Sequence, residues 1–245
     1  MTEVAVALFN RIYKMHAKSI FSALILGLMS FTTLASGGVQ LDRTRILIED
    51  GKTSASYGLQ NHYDVPVLAS SEITNFDGTP SSALAVTPAL FQVKPNKTTK
   101  GKVTLLQKLP SDRESVFWLN VKTILPSSKE EDSKSKDAAL EIAIAQRIKV
   151  FYRPKGLEGN SILAARSLSF SRDGNLLKVK NPSNMSVSLV AVQGEKGLQK
   201  IGDVVMPFET KNFKLESSIT NVNKFTFVDE YGNFITEDLT KKRTQ

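Results

Sequence analysis

Ala139-Leu-Glu-Ile-Ala-Ile-Ala-Gln-Arg-Ile-Lys-Val-Phe-Tyr-Arg-Pro154 is the stretch whose reading decides the fold. Leu140, Ile142 and Ile144 alternate with Glu141, Ala143 and Ala145. That is the two-residue period of a β-strand with unlike faces. One face carries bulky aliphatics, and the other runs into Arg147, Lys149 and Arg153. The preceding segment, Ser127 to Asp137, is too charged to pack, so a greasy strand lies beside a solvated loop. At a sheet edge such a strand invites pairing with another chain. Read by periodicity alone, the same residues also suit an ordinary buried strand face.

Outward from this strand, the chain from Gly38 to Pro154 continues in short alternating runs. They are Val39–Glu49, Ala55–Gln60, Val65–Ile73, Ala89–Val93, Gly101–Gln107, Ser115–Ile124 and Leu140–Tyr152. Asn75-Phe-Asp-Gly78, Pro95-Asn96 and Pro110-Ser-Asp112 separate some of them. Seven strands in about 115 residues predict a Greek-key sandwich of immunoglobulin type. Gly156 and Gly159 make residues 156–160 a plausible hinge. A second β-rich segment follows, with strands expected over Leu168–Ser171, Leu176–Asn181, Ser186–Gln193, Asn212–Leu215 and Lys224–Val228. No amphipathic helix of useful length is expected in either half. The fold class is therefore all-β: two sandwiches, over 38–155 and 161–245, joined by the hinge.

Residues 1–37 read as a secretory signal peptide. Lys14, His16 and Lys18 precede an apolar run from Ser19 to Leu34, and Ala35-Ser-Gly-Gly38 supplies small residues for cleavage. The run is shorter than the roughly 20 residues that a bilayer-spanning helix needs. Met15 would itself start a leader of ordinary shape, so residues before it are either an over-extended start or a long basic region. Removing 1–37 takes away Arg11, Lys14, Lys18 and Glu3 and lowers the formal charge of +8 by two. The remaining lysines are scattered, which suits a soluble basic surface rather than nucleic-acid binding. A leader of this kind implies that the chain is exported.

The composition excludes several chemistries. With no cysteine, the chain has no thiol nucleophile, redox pair or thiolate-bound metal. His62 is the one histidine beyond the leader, and Asn61-His62-Tyr63-Asp64 reads as a polar turn before Pro66. Phosphate-loop, dinucleotide-glycine and zinc-helix patterns are absent. Glu130-Glu-Asp132 lies among Lys129, Lys134 and Lys136 and reads as a solvated loop rather than a cation site. Nothing positive supports an enzyme, a cofactor or a metal.

Three segments carry a family resemblance. Leu109-Pro-Ser-Asp-Arg-Glu-Ser-Val-Phe-Trp-Leu-Asn-Val-Lys-Thr-Ile-Leu-Pro126, Arg147-Ile-Lys-Val-Phe-Tyr-Arg-Pro154 and Leu41-Asp-Arg-Thr-Arg45 resemble signatures of the periplasmic PapD-like pilus-assembly chaperones. Leu125 departs from the family's proline. In the second half the likeness is thinner: Leu168-Ser-Phe170, Asn181-Pro182, Met206-Pro-Phe208 and Tyr231-Gly232. The resemblance implies a boomerang-like pair of domains that binds pilus or fimbrial subunits. It implies that Arg45 and Lys149 hold the subunit's C-terminal carboxylate, and that Leu140, Ile142 and Ile144 fill the subunit's open groove by strand donation. It also implies that Glu114 and Arg153, with Glu230 in the family's aspartate position and Asp229 beside it, form an interdomain charge cluster. An outer-membrane usher would be the second partner, and the subunit-free form would be prone to self-association. The runner-up is a secreted two-domain adhesin or structural sandwich whose hydrophobic strand is internal. An exported β-rich hydrolase is a weak third.

Overall fold

The computed structural model describes residues 37–49, 51–125, 143–219 and 221–240. Leu140 and Ile142 therefore lie outside the described residues, as do residues 1–36. The described part is almost entirely β-structure, arranged as two sandwiches.

The first sandwich contains β1 (Val39–Leu41), β2 (Arg45–Ile48), β3 (Ser54–Asn61), β4 (Val67–Asn75), β5 (Leu84–Thr87), β6 (Leu90–Val93), β7 (Thr98–Leu105), β8 (Ser115–Ile124) and β9 (Ala143–Tyr152). One sheet runs β1-β3-β7-β5 and the other β2-β9-β8-β4-β6. The single strand expected over Val39–Glu49 is divided between them. Val39 and Leu41 are buried at odd positions and Ile46 and Ile48 at even ones. A strand turns alternate residues to one face, so this change of phase cannot fit one flat strand on one core. The chain instead changes sheets through Asp42-Arg43-Thr44. There Asp42 N–H donates to Gly58 O at 2.9 Å. β2 then runs parallel to β9, with Arg45 opposite Lys149.

Tyr57, Leu59, Val67, Leu119, Val121 and Val150 fill the space between the sheets. Tyr57 lies opposite Gly101 in the ladder. A Cβ at residue 101 would meet the phenol ring at 2.3 Å, so glycine makes room for it. The Tyr57 hydroxyl donates to Ser71 Oγ at 2.7 Å, and burial pushes its pKa up.

The second sandwich begins with a short helix, α1 (Ser161–Ser167), where no helix was expected. Asn160 caps it by accepting from Leu163 N–H at 2.8 Å. At two turns it is too short to give a periodic signal, yet it buries Ala164 and Ala165. Then come β10 (Ser169–Asp173), β11 (Leu176–Lys180), β12 (Val187–Gly194), β13 (Leu198–Val205), β14 (Thr210–Lys214), β15 (Val222–Val228) and β16 (Phe234–Asp238). Their sheets are β10-β11-β14 and β13-β12-β15-β16. β5, β13 and β16 were not anticipated. All three are edge strands; β13 and β16 bury few residues, and β5 is only four residues long.

A buried asparagine closes each sandwich in the same way. Asn61 Nδ2 donates to Val65 O at 2.8 Å and Val93 O at 3.1 Å. Asn181 Nδ2 donates to Met185 O at 2.7 Å and Val205 O at 3.2 Å. Downstream, Lys94-Pro-Asn-Lys97 and Met206-Pro-Phe-Glu209 form matching turns with positive φ at Asn96 (54°) and Phe208 (60°). Lys97 O and Glu209 O then accept the backbone N–H of Asn61 and Asn181.

Candidate functional site

The outward face of the β2-β9-β8-β4 sheet is ordered row by row. Leu47, Phe151 and Val116 share one row; Phe151 and Val116 are buried there. The next row is Arg45, Lys149 and Trp118, brought side by side by the parallel β2–β9 pairing and the antiparallel β9–β8 pairing. Arg147 follows one row further along the same face. Arg45 lies more than a hundred positions from Lys149, so the sheet register alone makes these residues neighbours.

Arg45 is held from the second sandwich. Its Nη1 donates to Asp229 O, and its guanidinium lies 5.7 Å from the Phe151 ring centroid. Its Nε is buried and has no hydrogen-bond partner among the described residues. Burial lowers its pKa, opposed by Asp229, Glu230 and Glu114, but an arginine stays charged. Lys149 is half-buried and lies 5.4 Å from the Trp118 ring centroid. Burial, then the neighbouring Arg45 charge, lower its pKa, and Asp203 opposes them. Two like charges in one row disfavour each other and favour an anion between them.

Beside them Arg153 meets three carboxylates: Glu114 at 3.1 Å, Glu49 at 3.4 Å and Glu230 at 3.6 Å. Glu114 is buried and also accepts from Ser186 N–H at 3.0 Å and from the Ser186 hydroxyl. Burial pushes its pKa up against these bonds. Glu230 accepts from the Ser161 hydroxyl at the start of α1. Asp229 does other work. Its carboxylate closes the turn before β16, accepting from Tyr231 N–H at 2.9 Å, Asn233 N–H at 2.8 Å and Asn233 Nδ2 at 2.9 Å. Burial opposes its charge, but those bonds hold its pKa below the usual range. Glu49 was missed by the sequence reading, since it ends an expected strand in no recognisable motif.

The two halves of β9 differ. From Lys149 to Tyr152 it lies between β2 and β8, whereas from Ala143 to Ile148 β8 is its sole strand partner among the described residues. Ile144 is half-buried and shares the parity of Ile148 and Val150, so it turns to the sandwich interior, opposite the face bearing Lys149. Gln146 on the same side reaches the other sheet. Its Nε2 donates to Val39 O at 2.7 Å and its Oε1 accepts from Leu41 N–H at 3.3 Å. Leu140 and Ile142, named with Ile144 as groove-filling residues, are outside the described residues.

Comparison with known proteins follows the two sandwiches. Residues 38–158 match the family described as "Pili and flagellar-assembly chaperone, PapD N-terminal domain", and residues 163–239 match "Pili assembly chaperone PapD, C-terminal domain". The probable fimbrial chaperone LpfB of Escherichia coli O157:H7 is 35% identical over 221 residues, covering 88% of this chain and 94% of LpfB. The chaperone protein FimC of Escherichia coli K12 is 30% identical, covering 88% and 91%. The fold is shared with a chain of the Salmonella enterica SafA pilin–SafB chaperone complex at a TM-score of 0.71 and 22% identity, covering 82% of this chain and 96% of that one. These relatives do not favour the adhesin reading. This chain belongs to the PapD-like family of pilus-assembly chaperones.

Proposed function

We propose that this chaperone works in the periplasm. There it captures an incomplete pilus subunit, lends it a strand, prevents its premature polymerisation and delivers it to an outer-membrane usher. The observation that carries the reading is the row formed by Arg45 and Lys149 on a strand whose other half has, among the described residues, a partner on one side only. Arg45 offers forked donors and Lys149 a compact charge, which together suit a terminal carboxylate. With that carboxylate fixed, the subunit chain would run antiparallel or parallel along β9, and Leu140, Ile142 and Ile144 would enter its groove. Glu114, Arg153 and Glu230 would set the angle between the domains 38–155 and 161–245, with 156–160 as the hinge. Without a subunit, the apolar strand would favour self-association.

Arg45→Ala and Lys149→Ala test this. Both chains should fold, and each should lose stable subunit capture in periplasmic co-purification, since truncating one side of a buried charged contact costs roughly 2–5 kcal/mol. Wild-type yield of subunit with both variants would remove the carboxylate reading. Export requires loss of the leader near Gly37–Gly38, or after Ala35. The intact mass of periplasmic material checks this, and a full-length membrane-bound product would contradict it.

A further inference from the structure

We propose that Trp118 is the positioning residue for Lys149: its indole holds the ammonium in place while leaving the charge free for the incoming carboxylate. This rests on the carboxylate reading above and adds the element that reading lacks, a reason for a long flexible lysine to point at its ligand. A cation kept ready for an anion cannot be fixed by a carboxylate of its own protein, because that pairing would compete with the ligand. An aromatic face attracts an ammonium without neutralising it.

The geometry meets this requirement. Trp118 faces Lys149 directly in the β8–β9 register. Lys149 Nζ is 5.4 Å and the Arg147 guanidinium 4.2 Å from the indole centroid. Among the described residues Lys149 has no ion pair and no side-chain hydrogen bond. Asp203, the carboxylate that acts on it from the second sandwich, is itself taken by Lys211 at 2.8 Å. The indole is anchored in turn. Its Nε1 donates to Phe76 O at 3.1 Å, and the Phe76 ring stacks on it at 5.2 Å between centroids and 15° between planes. A ring fixed by both a hydrogen bond and a stack can fix what rests on it. On the sandwich's outward face this indole is only half-buried, so core filling does not explain it.

The test compares wild type with Trp118→Phe, Trp118→Leu and Phe76→Leu, the last releasing the stack without touching Lys149. In the free chain, the ε-methylene NMR signal of Lys149, assigned by its absence from Lys149→Arg, should be displaced by the indole ring current. The displacement should persist in part in Trp118→Phe and vanish in Trp118→Leu. Affinity for the subunit that the wild-type chain retains should fall roughly tenfold in Trp118→Leu, less in Phe76→Leu, and be largely kept in Trp118→Phe, with melting temperatures near wild type. An undisplaced Lys149 signal in wild type overturns the proposal without any subunit. So does wild-type affinity in Trp118→Leu alongside lost affinity in Lys149→Ala, which leaves the carboxylate reading standing. Should Lys149→Ala itself bind like wild type, that reading falls and the positioning role falls with it. If Trp118→Leu fails to fold, the Lys149 signal and affinity of Phe76→Leu decide, and unchanged values there overturn the proposal.

Discussion

Burial opposes a charge on Glu114, and the Ser186 hydroxyl, then the Arg153 guanidinium, act against that penalty. Removing the two partners should therefore have unequal effects. Arg153→Leu leaves Glu114 buried without its cation and should cost about 3–5 kcal/mol in urea unfolding. Glu114→Gln keeps an acceptor for Ser186 and leaves Arg153 with Glu49 and Glu230, and should cost no more than about 1–2 kcal/mol. The sign of the pH dependence follows from the direction of the shift. The folded pKa of Glu114 is raised above its ordinary 4.5, so the folded chain binds this proton more tightly than the unfolded chain. Its contribution is present below the unfolded value and is lost as pH rises through the folded one. The stability of wild type minus that of Glu114→Gln should thus decline as pH rises through that window. A difference that grows over the same window would show that the ion pair outweighs burial. The nature of this site was partly legible in sequence: Glu114, Arg153 and Glu230 were nameable by motif. The contact of Arg153 with Glu49 depends on the pairing of β2 with β9, which no local pattern carries, and the separate task of Asp229 lies in its own turn with Tyr231 and Asn233.

At the scale of the element, β9 is two strands in one. Its C-terminal half is fastened between β2 and β8, and its N-terminal half is open on one side among the described residues. Replacing Ile142 and Ile144 with Asp should separate the two uses of such a strand. Ile144 is only half-buried, so the free protein should lose little: a fall of a few degrees in melting temperature, corresponding to about 1 kcal/mol. Subunit capture should be abolished, because an unpaired carboxylate in an apolar groove is costly and each lost aliphatic forfeits roughly 1.5–3 kcal/mol. Melting and pull-down on one preparation measure both. Unfolding of the chaperone with no separable binding defect would identify an internal strand instead.

For the whole molecule, the two sandwiches are joined by side-chain contacts as well as by the chain that connects them. Arg113 lies 4.9 Å from the Phe208 ring centroid and Lys211 lies 5.6 Å from that of Phe76. Phe208 is half exposed and has a φ of 60°, a conformation that costs a non-glycine residue roughly 1–2 kcal/mol. Its counterpart in the first sandwich is Asn96, a residue type that accepts this conformation readily. Phe208→Asn should therefore ease the turn while removing the contact to Arg113. The expected result is a second domain at least as stable as in wild type, together with a broader distribution of interdomain distances in spin-label measurements. An unchanged distribution would mean that the Arg113–Phe208 contact is not needed, and that the Arg153 cluster with the Arg45–Asp229 and Lys211–Phe76 contacts holds the domains.

Alternation and turn residues determined from the sequence that this chain is all-β and falls into two sandwiches, because strand period and turn chemistry are local properties. The motifs around Glu114, Trp118 and Lys149 placed the first domain in its family for the same reason. Tertiary structure alone decided the rest. The change of sheet at Asp42–Thr44 was written in the phase of Val39, Leu41, Ile46 and Ile48, yet its meaning appears only when two sheets compete for one strand. The edge strands β13 and β16, which bury few side chains, owe their conformation largely to a neighbour's backbone. Arg45, Lys149 and Trp118 form one row because a parallel pairing and an antiparallel pairing meet in β9. Register of that kind is set by the packing of whole sheets, which no single segment encodes.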